Sequence, residues 1–275
     1  MSELILINVI ISILSGLLIV LTERKFLSWL QRRLGPSMIG RNGSHQIVGD
    51  LFKLLYKVTY LIPHTITTLV PIAVFNFFNC QLLMCLNFVL GPELHLSLNV
   101  DSMILYHLIV VLFSNISFIW VGSLTLSRYA MIAVIRSIVH VISLDIFVTV
   151  TFSLLMLHSQ SSHFHDFIVM QQITWNIFLF APLTSAFFII LLLEAKRTPF
   201  DHAETESEVV AGYAVEFSGI LLLIFYLCEY MHLMISSIQF IIFFLGGWSP
   251  LSLSTILPTI LNPYTDFFTL KLLCF

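Results

Sequence analysis

Charge is scarce in this chain: Asp, Glu, Lys and Arg make up 10% of its 275 residues, against about 25% in a soluble domain. The four cysteines, Cys80, Cys85, Cys228 and Cys274, form no Cys-x-x-Cys pair, so no zinc or iron–sulfur signature is present. Neither a Gly-x-Gly-x-x-Gly after a strand nor a Walker loop occurs, and with them go the usual signals of a bound nucleotide. The N-terminus has no positive n-region, and Glu23-Arg24-Lys25 stands where a secretory cleavage site would need small residues. It also has no Arg-rich amphipathic presequence. An apolar chain without an import signal fits synthesis inside a bacterium or an organelle. Its 25 phenylalanines, beside abundant Ile and Leu, suggest an A/T-rich organelle gene.

What is abundant is apolar sequence. Hydrophobic residues reach 58% and mean hydropathy is +0.99. Six runs, Leu4–Thr22, Ile66–Leu90, Met103–Leu126, Val139–Leu157, Trp175–Leu193 and Phe217–Leu245, each reach the ~18 residues needed to cross a hydrocarbon core of ~30 Å. Continuous runs of this length are not barrel strands, which alternate over about 10 residues. The fold class is therefore all-α: a polytopic transmembrane helix bundle forming one domain over residues 1–275. A seventh run, at 264–275, is too short to span alone and reads as a truncated span that another chain completes.

Positive charge checks the span count. Seven cations (Arg24, Lys25, Arg32, Arg33, Arg41, Lys53 and Lys57) lie between spans one and two. Arg128 and Arg136 lie near the connection of spans three and four, and Lys196 and Arg197 join spans five and six; only Lys271 falls elsewhere. Six spans put loops 23–65, 127–138 and 194–216 on one side, which the positive-inside rule makes the cytoplasm or matrix. The first of these opens with apolar and basic residues mixed over Arg24–Arg33, as in a helix lying in the interface. Gly35-Pro36 breaks it. Helical spacing returns from His45 to Tyr60, with Asp50, Lys53 and Lys57 on one face.

The loop 194–216 holds the densest chemistry. Glu194 leaves span five beside Lys196 and Arg197, and Pro199 turns the chain. Asp201 and Glu204 then sit where acids stabilise a helix start, and Glu204 and Glu208 form a like-charge pair at i, i+4. A run of acids is usually a solvated face. Here, however, it leads straight into a span through Val209–Tyr213, which favours a polar cavity between helices. Asp145 lies within span four, Glu229 mid-way along span six, and Glu216 at its basic-side mouth. A structural hydrogen bond between helices contributes only ~0.6 kcal/mol, against ~2.5–3.5 kcal/mol to insert a charge at the bilayer centre, so both intramembrane acids favour a functional role. Arg136 and His140 share a face at i, i+4; a lone Arg at a helix end is equally a snorkelling anchor. His158, His163 and His165 sit in a Ser/Gln-rich loop without ordered carboxylates, a poor metal site.

Two stretches resemble a known family. Thr22-Glu23-Arg24-Lys25 with Gln31-x-Arg33-x-Gly35-Pro36 and Gly40 resembles the first matrix loop of the NADH-ubiquinone oxidoreductase chain 1 family of respiratory complex I. Glu194-x-x-Arg197-Thr198-Pro199-Phe200-Asp201-x-x-Glu204-x-Glu206-Ser207-Glu208-x-Val210-x-Gly212 resembles its third matrix loop. Tyr129-Ala130-x-Ile132 to Arg136, Glu216 and Glu229-Tyr230 agree in order. The resemblance implies ubiquinone as substrate, in a chamber surrounded by Glu23, Arg24, Arg33, Asp50, Arg136 and Arg197. It also implies a proton relay through Asp145, Glu194, Asp201, Glu204, Glu206, Glu208, Glu216 and Glu229 towards pumping subunits. It implies no flavin, iron–sulfur cluster or metal on this chain, other complex I subunits and lipid as partners, and no nucleic acid. The implied site is the mitochondrial inner membrane, with a bacterial plasma membrane as alternative. Asp145 stands where the family usually has Glu, and the Arg32-Arg33 pair comes one residue early. The family continues through a basic loop to an eighth span, whereas this chain stops shortly after Lys271, so a second polypeptide is expected to complete the chamber. Two other readings of the residues remain: a stand-alone proton or cation antiporter, for which no inverted repeat is visible, and the related subunit of a membrane-bound hydrogenase.

Overall fold

The structure, a computed structural model, describes residues 2–40, 43–59, 68–88, 102–172, 174–196, 200, 212 and 216–247. Among them every regular element is a helix: α1 (Ser2–Leu30), α2 (Gln46–Tyr56), α3 (Leu69–Asn87), α4 (Met103–Ser123), α5 (Arg128–Ser159), α6 (Phe164–Met170), α7 (Asn176–Leu179), α8 (Ala181–Glu194) and α9 (Gly219–Phe244). Five of them, α1, α3, α4, α5 and α9, are long and apolar enough to cross a membrane. The truncated seventh span at 264–275, and with it the expected docking partner, lies outside the described residues.

The fifth expected span differs in form. Trp175–Leu193 is divided into α7 and α8 at Phe180, whose backbone (φ −121°, ψ 48°) leaves the helical region. Pro182 explains the break: it has no N–H to give and its ring crowds the carbonyl four residues back, so a helix restarts at it rather than running through. The expected interfacial helix at Arg24–Arg33 is also corrected. The stretch up to Leu30 is the last two turns of α1, because nothing between Thr22 and Leu30 breaks a helix. Arg32, at φ 52°, ends it. Lys57 is not on the face of Asp50 and Lys53, since α2 stops at Tyr56 and Lys57 is extended.

The apolar pattern is that of a bundle in lipid. Leu14 and Leu18 of α1, Phe113 and Ile116 of α4, and Ile142, Ile146 and Phe147 of α5 face outwards. α9 is the central helix, packing on α1, α2, α3, α6, α7 and α8. Gly16 lets α1 approach it: a Cβ there would lie 3.2 Å from Met231 Cγ. Gly219 (φ 59°) lets α9 begin against loop one, since a Cβ would stand 2.7 Å from the Lys57 carbonyl oxygen.

Among the described residues, the buried apolar side chains form two clusters at different depths. One, towards the side with the basic loops, joins Val74 and Phe77 of α3, Phe118 and Val121 of α4, and Leu221, Phe225 and Cys228 of α9. The other, towards the opposite side, joins Met84, Ile104, Phe152, Phe164, Phe187 and Ile235–Phe244 residues of α9. On α9 the gap between them is Glu229–Leu233, on α3 it contains Gln81, and on α4 it contains Asn115. A polar layer thus cuts the core part-way through the membrane.

Candidate functional site: two cavities sharing a tyrosine wall

The polar layer encloses a cavity of about 350 Å³. Three acids singled out in the sequence meet there: Glu23 from α1, Glu194 from the end of α8, and Glu229 from α9. Lys196, Gln81, Asn115 and His232 complete its polar lining. Glu229 lies 10 residues into α9, about 15 Å along the helix at 1.5 Å per residue. The three acids are far apart in sequence, and only helix packing brings them to one depth.

Glu194 has a partner that sequence reasoning did not single out. His232 Nε2 lies 3.5 Å from Glu194 Oε1, with both side chains largely buried, at 14% and 11% exposure. Lys196 follows Ala195, the C-cap of α8, in the left-handed region at φ 51°, an uncommon conformation for a residue with a Cβ. That turn folds its side chain back, placing the ammonium 2.8 Å from the centroid of the Phe118 ring. The cation is held at the cavity wall instead of extending to the loop side.

Asp145 reaches the same system through Asn115. The Asn115 amide donates to Asp145 Oδ1 at 2.9 Å, and Asn115, Glu194 and Lys196 line both the large cavity and a small one of about 30 Å³ beside Asp145. His140 also lines the small cavity.

A second cavity, of about 230 Å³, lies between α1, α2 and α9. Leu17, Val20, Leu51, Leu54, Leu223 and Leu227 make it apolar, while Arg24, Gln46 and Asp50 stand at one end. Arg24 Nη1 donates to Asp50 Oδ2, and Gln46 donates to Asp50 Oδ1 at 3.1 Å. Adjacent residues of α1 therefore serve different cavities: Glu23 the polar one and Arg24 the apolar one, as the ~100° turn between helical neighbours requires. Tyr226 and Tyr230, at i, i+4 on α9, line both cavities and form their common wall.

Not every expected residue converges. Arg33 is exposed in the turn after α1, and Arg136 is half-buried on α5; neither lines these cavities. Glu216 is half-buried just before α9, outside the three cavity linings. Arg197, Asp201, Glu204, Glu206 and Glu208 lie outside the described residues. No group of three or more His, Cys, Asp or Glu side chains suited to a metal occurs among the described residues. His158 instead packs edge-on against Phe180, with ring centroids 5.0 Å apart.

Sequence comparison adds an independent line. The chain matches the NADH dehydrogenase family over residues 2–275. It is 34% identical to the NADH-ubiquinone oxidoreductase chain 1 of Paramecium tetraurelia, over 84% of this chain and 88% of the relative. It is 31% identical to one subunit of the NADH-quinone oxidoreductase of Carboxydothermus hydrogenoformans, over 86% and 67% of the two chains. With chain 1 of Yarrowia lipolytica identity is 30% over 95% of this chain and 76% of that one. From both its end-to-end match and these relatives, the chain belongs to the NADH dehydrogenase family.

Proposed function

We propose that the chain is the membrane subunit of a proton-translocating NADH:ubiquinone oxidoreductase that helps form the quinone chamber and relays charge towards the pumping subunits. Its partners are the other subunits of that complex, and its place is the mitochondrial inner membrane, as a multi-pass protein with its basic loops in the matrix. Family membership favours this over a lone antiporter or a hydrogenase subunit.

The observation that carries the site-level reading is the shared wall of Tyr226 and Tyr230 between an apolar and an acidic cavity. The apolar cavity suits a quinone, with the Arg24–Asp50 pair at its end for the polar head group. Electrons arrive from redox centres on other subunits. Two-electron reduction of a quinone needs two protons, so negative charge develops in the chamber before it is neutralised. A unit charge about 10 Å from a carboxyl interacts with it by about 1.7 kcal/mol at an effective dielectric of about 20. That energy changes the proton occupancy of a carboxyl at that distance by more than tenfold, and Glu23, Glu194 and Glu229 are the carboxyls lining the adjoining cavity. From Glu194 the polar lining continues through Asn115 to Asp145. We include Arg33, Arg136 and Arg197 among the charges around the chamber. Asp201, Glu204, Glu206, Glu208 and Glu216 belong in the same reading to the loop side of the relay.

Glu229→Gln tests the proposal, because it keeps volume and hydrogen-bonding capacity but removes the titration. The variant should assemble and bind quinone yet lose proton pumping and most coupled turnover in reconstituted vesicles. An unchanged proton-to-electron ratio at unchanged turnover would remove Glu229 from the path. Arg197→Ala should lower quinone reductase activity while assembly survives; normal, fully coupled activity would reduce Arg197 to an anchor.

A further inference from the structure

Among the described residues of the polar layer, His232 is a titratable side chain next to two of the acids already assigned. His232 follows Glu229 by three residues on α9, so the two side chains occupy one face of the helix. Across the cavity its Nε2 stands 3.5 Å from Glu194 Oε1 on α8. That is a few tenths of an ångström beyond an ordinary N–H···O bond and within reach of a small side-chain rotation. Its other ring nitrogen, Nδ1, is buried without a hydrogen-bond partner among the described residues.

This arrangement is poor architecture for a structural histidine. An unsatisfied buried polar nitrogen costs about 1–3 kcal/mol; His107 Nδ1 carries the same cost, and what sets His232 apart is the Glu194 carboxylate beside its other nitrogen. For a proton carrier the same arrangement is an asset, because a neutral imidazole can accept at one nitrogen while donating from the other. We propose that His232 is a proton-carrying member of the relay, linking Glu229 on α9 to Glu194 on α8. In the transfer Nδ1 takes the proton of the Glu229 carboxylic acid through an intervening water, since Nδ1 has no direct hydrogen-bond partner among the described residues. The Nε2 proton passes to the Glu194 carboxylate, and ring rotation or a return proton resets the tautomer. One proton enters the ring and one leaves, with no change in oxidation state.

The remaining ionisable groups around the ring are Glu23, Lys196, Tyr226 and Tyr230 in the cavity wall. Beyond it on α4 lies His107, whose Nε2 is 2.6 Å from the Gln239 amide nitrogen. Of the ionisable groups in the cavity wall, His232 is the one with a described contact to Glu194.

The inference rests on the relay reading given above, and the experiment separates the two. His232→Gln, in the assembled complex reconstituted into vesicles, keeps a donor and an acceptor near Glu194 without a titrating group. Quinone-dependent turnover should fall roughly tenfold, less than the roughly 10²–10⁴-fold of a general acid or base at the reacting atoms, because water can carry part of the proton flux. KM for quinone should hold, and the pH profile of turnover should differ from that of the wild type. Wild-type turnover, stoichiometry and pH profile in His232→Gln would overturn the assignment. His232→Asn is the second variant if the first does not assemble, with the same expected loss; failure of both to assemble would assign His232 to packing and overturn the proposal. Glu194→Gln and Glu229→Gln run alongside. If both are silent, the relay itself fails; if both are slow while His232→Gln is normal, only the role of His232 fails.

Discussion

The two cavities on either side of Tyr226 and Tyr230 draw on the same helices, α1 and α9, and still differ in character. The larger is lined by three carboxylates, a histidine and a lysine; the smaller is walled by leucines, valine and isoleucine, with a single ion pair at its end. Helical rotation accounts for much of the contrast. Glu23 and Arg24 on α1 point to different sides, and on α9 Glu229 and His232 face one cavity while Leu223 and Leu227 face the other. On the function proposed above, one pair of helices holds an apolar substrate and a proton path a side chain apart.

Introducing a carboxylate on the dry side should break the contrast most severely. Leu223→Asp places an ionisable group against an apolar wall, where burying a charge costs several kcal/mol. Quinone-dependent activity should be abolished or KM raised by about a hundredfold or more, measured against a short-chain quinone series. Retention of normal KM would mean that quinone does not occupy this cavity.

Severing the wet side is expected to have the next largest effect. Asn115→Leu removes the amide that donates to Asp145 Oδ1 and fills the connection between the large and small polar cavities with an apolar side chain. Losing the partner of a buried polar group costs about 1–3 kcal/mol, and less for this half-buried pair. Pumping stoichiometry should fall more than quinone affinity. A change in KM alone would contradict the division of labour between the cavities.

A smaller effect is expected at the close approach of α1 and α9. Gly16 lines the apolar cavity, and a Cβ there would already lie 3.2 Å from Met231 Cγ. Gly16→Val adds two further carbons and should destabilise by about 1–3 kcal/mol through overpacking. Faster thermal inactivation together with raised KM for quinone would fit; Gly16→Ala should be much milder, since Met231 can give way.

The weakest effect on stability should come from Arg24→Ala. The pair with Asp50 is 53% and 36% exposed on its two sides, and surface ion pairs contribute about 0–1 kcal/mol. Thermal inactivation should shift little while KM for quinone rises several-fold, and salt should mimic part of the change. A large loss of stability with unchanged KM would make the pair a structural clamp.

Much of the site is legible from residue type alone. Glu194, Glu229 and Asp145 stand out because charge inside an apolar run has few structural excuses, and all three line the polar cavities. Gln81, Asn115 and His232 do not stand out in the same way, although each is a polar side chain within a span. They carry no formal charge at neutral pH, so the insertion argument that isolates an acid does not isolate them. The continuation of α1 to Leu30 and the break at Phe180 are also readable, from the absence of Gly and Pro in the one stretch and from Pro182 in the other. Arg136 and Glu216 look as charged as the others in sequence, yet they do not meet the cavities described.

The sequence by itself determined the helical class, the one-sided distribution of positive charge and which acids fall within apolar runs, because hydrophobic length, the distribution of Lys and Arg, and the cost of charge in lipid are all local properties. It could not determine that Glu23 and Arg24 serve different cavities, that Asn115 joins Asp145 to Glu194, or that His232 faces Glu194 across α8 and α9. Those facts depend on the rotation and depth of each helix against its neighbours. They are set by long-range packing, through the contact of Gly16 with Met231 and of Gly219 with loop one, and by two apolar clusters that leave a polar layer between them.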